Sequence, residues 1–279
     1  MVKLAGLSRA SFYRLANDTP AASDDDMELR DDIQRIALEW PSYGRPRITA
    51  ELRRQGWRVN PKRVYRLMRE DNLLCLRKRR FIPTTDSNHG RRVYRNLAEN
   101  VVLTGINQLW VADITYIRLK SEFVYLAVVI DAFSRRVVGW ALDRHIEDDL
   151  TLAALNGALD QRRPPPGLVH HSDRGSQYAS GDYTNRLTAW GCRISMSRKG
   201  SPWENGGCES WMKTLKYEEV YRQDYRDLAD ARASIKRFIE QVYNQRRLHS
   251  ALGYRPPVEF EAGIAAMGNK EAASRQLCL

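Results

Sequence analysis

The chain has 279 residues, 43% of them hydrophobic, with seven tryptophans and thirteen tyrosines, which is enough for one large core or two smaller ones and excludes global disorder. Its formal net charge of +11 points to a polyanionic partner, of which nucleic acid is the commonest. No run of eighteen apolar residues spans a membrane, MVKLAGLSRASFYRLAND lacks a secretory apolar region, and Cys75, Cys192, Cys208 and Cys278 lack zinc-site spacing, so a cytoplasmic protein with reduced thiols is expected.

The charge is concentrated in one segment. Between Arg45 and Arg95, sixteen Lys or Arg stand against four acids, a net +12, and the remainder is close to neutral. Ahead of it, GLSRASFYRLA (6–16) has the pattern of half a helix-turn-helix. DDDMELRDDIQRIALEW (24–40) predicts an amphipathic helix with Leu29, Ile33, Ile36, Ala37 and Trp40 inward, its acidic start matched to the helix dipole. Residues 43–74 predict two short helices around a turn. Ile48, Leu52 and Trp57 mark the apolar face of the first, and Val64, Leu67 and Met68 that of the second. Gly56 breaks the first helix, and Asn60-Pro61 supplies an N-cap and a first-turn proline for the second. This is a helix-turn-helix pattern whose second helix offers Lys62, Arg63, Arg66 and Arg69 to DNA. RKRRFIPTTDSNHGRRVYR (77–95), with Arg77, Lys78, Arg79 and Arg80, reads as a linker tracking the backbone phosphates. An ordinary helical domain with a solvated basic face is the bland alternative. The expected organisation is a helical DNA-binding region (1–76), a basic linker (77–100), a catalytic core with its C-terminal helix (101–262) and a flexible tail (263–279).

From residue 101 the pattern changes. QLWVADITYIRL (108–119), EFVYLAVVIDA (122–132) and RRVVGWALD (135–143) predict three strands in an antiparallel meander. A helix at 148–162, a strand at 167–173, a helix at 178–191, a strand at 192–197 and a long helix from near Trp203 to about Tyr221 follow. The order βββαβαβα is that of an α/β, ribonuclease-H-like core, a mixed sheet flanked by helices. Asp113 lies mid-strand, Asp173 at a strand's carboxyl end, and Glu209 in the early turns of the long helix, with 35 residues between Asp173 and Glu209. Three carboxylates can hold two divalent cations for phosphodiester displacement, with water or a 3′-OH as the nucleophile. Asp131 also sits in an apolar strand and rivals Asp113 on composition. Lys213 is placed to pair with Glu209 at i+4. An amphipathic helix (228–245) precedes Asn244, Arg246, Arg247 and His249, which either contact DNA or brace the core.

YGRPRITAEL with VNPKRVYRLMRE, NQLWVADITYI, HHSDRGSQY, and SPWENGGCESWMKTLKYEE followed by YNQRRLHSALGYRPPVEFE resemble, in this order, the motifs of the insertion-sequence 3 family of bacterial transposases, second-reading-frame product. The resemblance runs from about Leu4 to Glu261. It implies an integrase-type catalytic core with Asp113, Asp173 and Glu209 as metal-binding triad, two Mg²⁺ ions with Mn²⁺ as substitute, and Lys216 set against terminal DNA. It also implies cleavage at transposon 3′ ends and strand transfer, often through a circular intermediate. The partners implied are double-stranded DNA (terminal inverted repeats and target), further copies of the chain on that DNA, and an upstream-frame protein. A bacterial, nucleoid-associated location goes with these. A degenerate DNA-binding relative and a ribonuclease-H-like nuclease without strand transfer are the alternatives. The chain departs from the family at Glu204-Asn205-Gly206, where Asp-Asn-Ala is usual, and Gly207 follows. Two glycines are expected to loosen the start of the catalytic helix.

Overall fold

The computed structural model describes residues 24–74, 92–120, 122–198 and 201–276. The chain divides into two compact units, Met1–Lys78 and Arg79–Leu279.

In the first unit, α1 (Asp24–Glu39), α2 (Arg45–Arg54) and α3 (Pro61–Glu70) share one core. Leu29, Ile33 and Ile36 repeat at helical spacing on α1 and are buried with Ile48, Leu52, Val64, Leu67 and Met68. Trp40 stacks on Tyr43 at 4.9 Å, while Ala37 and Trp57 are only half-buried. The Trp57 indole N–H donates to Asp32 at 2.6 Å, fixing the turn to α1. Asn60 caps α3 by accepting from the Lys62 N–H, with Pro61 at the first helical position. Arg30 pairs with Glu70 and Asp71, closing the end of α3 onto α1.

The second unit is built on a sheet of order β3-β2-β1-β4-β5, formed by β1 (Leu109–Arg118), β2 (Phe123–Asp131), β3 (Val137–Asp143), β4 (Val169–Ser172) and β5 (Arg193–Met196). The first three strands pair antiparallel; β4 and β5 join parallel. Alternate residues of β1 and β2 serve two cores. Val111, Leu126 and Val128 face Trp211, Leu215 and Ile239, whereas Trp110, Ala127 and Val129 face Leu155, Ala158 and Leu187. Accordingly α4 (Asp148–Arg162) and α5 (Gly181–Ala189) cover one face, and α6 (Gly206–Glu218) and α7 (Leu228–Arg237) the other. Gly139 on β3 admits α4: a β-carbon there would lie 2.2 Å from the Ala154 carbonyl oxygen.

Three elements differ from their sequence expectation. The long helix starts as a 3₁₀ turn (Pro202–Asn205), is α-helical only over α6, and ends in a second 3₁₀ turn (Val220–Arg222). The helix expected over 228–245 widens after Arg237 into a π segment, Phe238–Tyr243, so that Phe238, Ile239 and Tyr243 are all buried. Where a flexible tail was expected from 263, α8 (Pro257–Gln276) stays helical, in line with the helix-favouring Ala, Glu, Lys and Gln of its second half.

The YNQRRLHS segment braces the core. Asn244 accepts from the Val137 N–H and donates to the Val137 carbonyl, both at 3.0 Å, so one amide caps the start of β3. Arg247 makes a buried bidentate pair with Glu218 at the end of α6, both bonds 2.8 Å. Glu261 on α8 accepts twice from Arg162 and once from Arg136, at 2.7–2.8 Å.

Candidate active site

β4 runs beside β1 only over Leu109–Val111, while β1 continues to Arg118. Where the strands part, β1 presents Asp113 and the residue after β4 is Asp173. Both carboxylates line one cleft of about 250 Å³, together with Tyr116, Gln177 and Tyr178. Asp173 is half-buried and accepts from the Gly175 N–H at 2.9 Å; a β-carbon at Gly175 would stand 3.0 Å from that carboxylate oxygen, so a side chain there would press on the acid. Among the described residues Asp113 accepts one hydrogen bond, from the Ile114 N–H at 2.9 Å. Desolvation, then the charge of Asp173 and more weakly that of Glu209, pushes its carboxyl up to about 7, against the pull of the Ile114 N–H and Lys216.

Glu209 lies in the first turn of α6, close enough to act on Asp113 through its field, with its own carboxylate held by the Lys213 ammonium at 2.9 Å. Asp113 and Asp173 thus share a wall, and Glu209 stands beside it in an ion pair. Among the described residues no three His, Cys, Asp or Glu side chains converge on one point closely enough to ligate an ion together. Lys216 sits over the Tyr116 ring, 4.6 Å from its centroid, and desolvation lowers its ammonium pKa while Asp113 opposes that shift. The Tyr178 hydroxyl is buried without a hydrogen-bond partner among the described residues and feels both aspartates.

Asp131, the other acid in an apolar strand, has different surroundings. Its carboxylate is fully buried and accepts from the backbone N–H groups of Asn107, Phe133 and Ser134 and from the Ser134 hydroxyl, at 2.6–3.1 Å. It builds the β2–β3 turn. His170 and His171 are likewise buried structural groups, on the Tyr183 hydroxyl at 3.0 Å and the Ser195 hydroxyl at 2.8 Å; desolvation takes His170 down to about 3.

At the start of α6 the two glycines behave differently. A β-carbon at Gly206 meets open space, whereas one at Gly207 would stand 3.4 Å from the Arg135 guanidinium and 3.6 Å from Val111. Neither position is closed to a side chain: the space at Gly206 is open, and at Gly207 a β-carbon would make ordinary van der Waals contacts.

Three family models match the chain: an HTH-like domain over residues 24–81 and an integrase core domain twice, over 104–202 and 190–257. The transposase InsF for insertion sequence IS3A of Escherichia coli (strain K12) is 40% identical over 220 residues, 78% of this chain and 76% of that protein. The chain belongs to the insertion-sequence 3 family of transposases. The insertion element IS600 31 kDa protein of Shigella sonnei is 37% identical over 264 residues, 93% of this chain and 97% of that one. Among solved structures, the simian T-cell lymphotropic virus intasome in complex with PP2A regulatory subunit B56 gamma is 15% identical, with a TM-score of 0.48 over 82% of this chain and 74% of that chain.

The transposase is a DDE-type enzyme with an integrase core and an N-terminal helix-turn-helix, and it acts on DNA. Of the α3 residues put forward for DNA, Lys62, Arg66 and Arg69 are exposed. Arg63 is half-buried, its guanidinium Nε bonded to Asp26 of α1 at 2.8 Å, and Arg66 reaches the same carboxylate at 3.5 Å, so both also join α3 to α1. Arg77, Lys78, Arg79 and Arg80 lie outside the described residues, as does the 6–16 segment. Tyr65, exposed on α3 with Arg45 over its ring at 5.7 Å, was not singled out from the sequence; its place beside Lys62 and Arg66 was the available signal. No helix among the described residues is long and apolar enough to cross a membrane.

Proposed function

We propose that Asp113, Asp173 and Glu209 are the catalytic carboxylates of this transposase, that they hold two Mg²⁺ ions with Mn²⁺ as substitute, and that the reaction is cleavage at a transposon 3′ end followed by strand transfer. The observation that carries this is the half-buried Asp113, left with one hydrogen bond and driven up to about 7 beside Asp173 and within the field of Glu209. Uncompensated negative charge in a desolvated cleft is relieved by a cation, and carboxylate oxygens suit a hard one. Asp113 and Asp173 fit as ligands as they stand, while Glu209 joins them by leaving Lys213. Bound divalent ions would activate the attacking oxygen and stabilise the leaving one. The protein's part is to fix the acids at the fork of β1 and β4, to keep the Asp173 turn tight through Gly175, and to aim the Lys216 charge along the cleft.

The substrates in this reading are the element's terminal inverted repeats and target DNA. Lys62, Arg63, Arg66 and Arg69 on α3 make phosphate or base contacts, with Arg77, Lys78, Arg79 and Arg80 following the backbone. Two ends have to be joined, so copies of the chain assemble on DNA, with an upstream-frame protein as a candidate partner and the bacterial nucleoid as the place of work. The test is a strand-transfer assay on the element's own ends, uncut and pre-cut, in Mg²⁺. The expected result is joining by wild type and none by Asp113→Asn, Asp173→Asn or Glu209→Gln. Cutting without joining would make the protein a plain nuclease, and binding without either would make it a DNA-binding relative.

A further inference from the structure

We infer that Asn205 is the positioning residue that sets the distance between the catalytic helix and the catalytic strand, and with it the affinity of the carboxylate cluster for divalent metal. The inference rests on the proposed triad and concerns a residue outside it. Asn205 is the last residue before α6 and is buried, 7% exposed. Its side-chain N–H donates at 3.0 Å to the carbonyl of Ala112, the residue before Asp113. Ala112 lies one position past the last β1–β4 pair, Val111 with His171. A side-chain amide therefore meets β1 where its strand partner leaves it, at the point from which Asp113 and Asp173 diverge.

The neighbours of Asn205 make this a rigid seat. Glu204 accepts from the Asn96 amide at 2.9 Å and from the Arg198 N–H at 2.7 Å, pinning the 3₁₀ turn from outside. Gly207, two residues on, lies beside Val111, so the first turn of α6 packs on the same strand. Glu209 follows Asn205 by four residues, about one helical turn, so a change in how Asn205 meets Ala112 is passed along the helix to the Glu209 carboxylate. The amide oxygen of Asn205 is buried with no partner among the described residues. A buried amide satisfied on one side only is a poor stabiliser of the fold, and its placement is better explained by position than by stability.

The test uses the full chain and Mn²⁺ alone, titrated by electron paramagnetic resonance, on wild type, Asn205→Asp, Asn205→Ala and Asp113→Asn. Asn205→Asp keeps the shape and replaces the donor with a carboxylate facing a carbonyl. Roughly 10-fold or greater loss of Mn²⁺ affinity of the folded protein is expected in both Asn205 variants, with duplex-DNA affinity near wild type. A purely structural role would lower the melting temperature and leave the affinity of the folded protein unchanged. Unchanged Mn²⁺ affinity in folded Asn205→Asp overturns the inference, and so does failure of both variants to fold, since Asn205 would then serve the fold itself. Asp113→Asn separates the two readings. If it binds Mn²⁺ like wild type, the triad is wrong; if it loses Mn²⁺ while Asn205→Asp keeps it, only the role of Asn205 fails.

Discussion

The sheet carries two aspartates in apolar strands, and their surroundings are opposite. At the β2–β3 turn, Asp131 is fully buried and accepts four hydrogen bonds. At the β1–β4 fork, Asp113 is half-buried and accepts one, with a second carboxylate on the same cleft. Asp131 is supplied with donors; Asp113 has one, and burial together with the charge of Asp173 raises its carboxyl to about 7, the pattern expected of an acid that serves a ligand.

The largest effect that would sharpen this contrast is on strand transfer. Asp113→Asn should reduce it by roughly 10³-fold, about 4 kcal/mol of barrier, with no loss of thermal stability. Asp131→Asn should leave the folded fraction active; activity loss equal to that of Asp113→Asn would break the comparison. Next comes stability at the braced end. Glu261→Ala strands two arginines, one of them 10% exposed, and should cost about 3 kcal/mol in denaturant unfolding. Asp131→Asn should cost about 2 kcal/mol by mismatching buried donors.

A smaller, pH-dependent effect belongs to the fork. The fold favours protonated Asp113, so its contribution to stability is complete below about pH 4 and is lost as pH rises through about 7. In metal-free protein, Asp113→Asn should therefore melt several degrees above wild type at pH 8 and level with it at pH 4; no difference at pH 8 would contradict the desolvated carboxylate. Smallest, Gly206→Ala fills open space in the first turn of α6 and should stabilise by about 0.5–1 kcal/mol with strand transfer retained.

The strand and helix order was legible because β1, β2 and β3 are long β-branched runs and their breaks carry turn residues. The places of Asp173 and Glu209 in the fold were legible, one following a strand and one opening a helix. Choosing between Asp113 and Asp131 was beyond composition, since both sit in buried strands; a clue lay in Ser134, three residues after Asp131, which closes a side-chain turn on it. The π segment at Phe238–Tyr243 left no trace in apolar spacing. The pairing of Arg63 with Asp26 was not legible, because the two are distant in sequence. Arg247 and Asn244 were ambiguous for the same reason: Glu218 and Val137 meet them only in the folded core.

The most direct test is anomalous scattering from crystals of the protein grown or soaked with Mn²⁺. The account predicts two peaks in the cleft, with Asp113, Asp173 and a Glu209 released from Lys213 as ligands at about 2.0–2.6 Å. Peaks elsewhere, or a cleft with no Mn²⁺ at concentrations that support strand transfer, would contradict it.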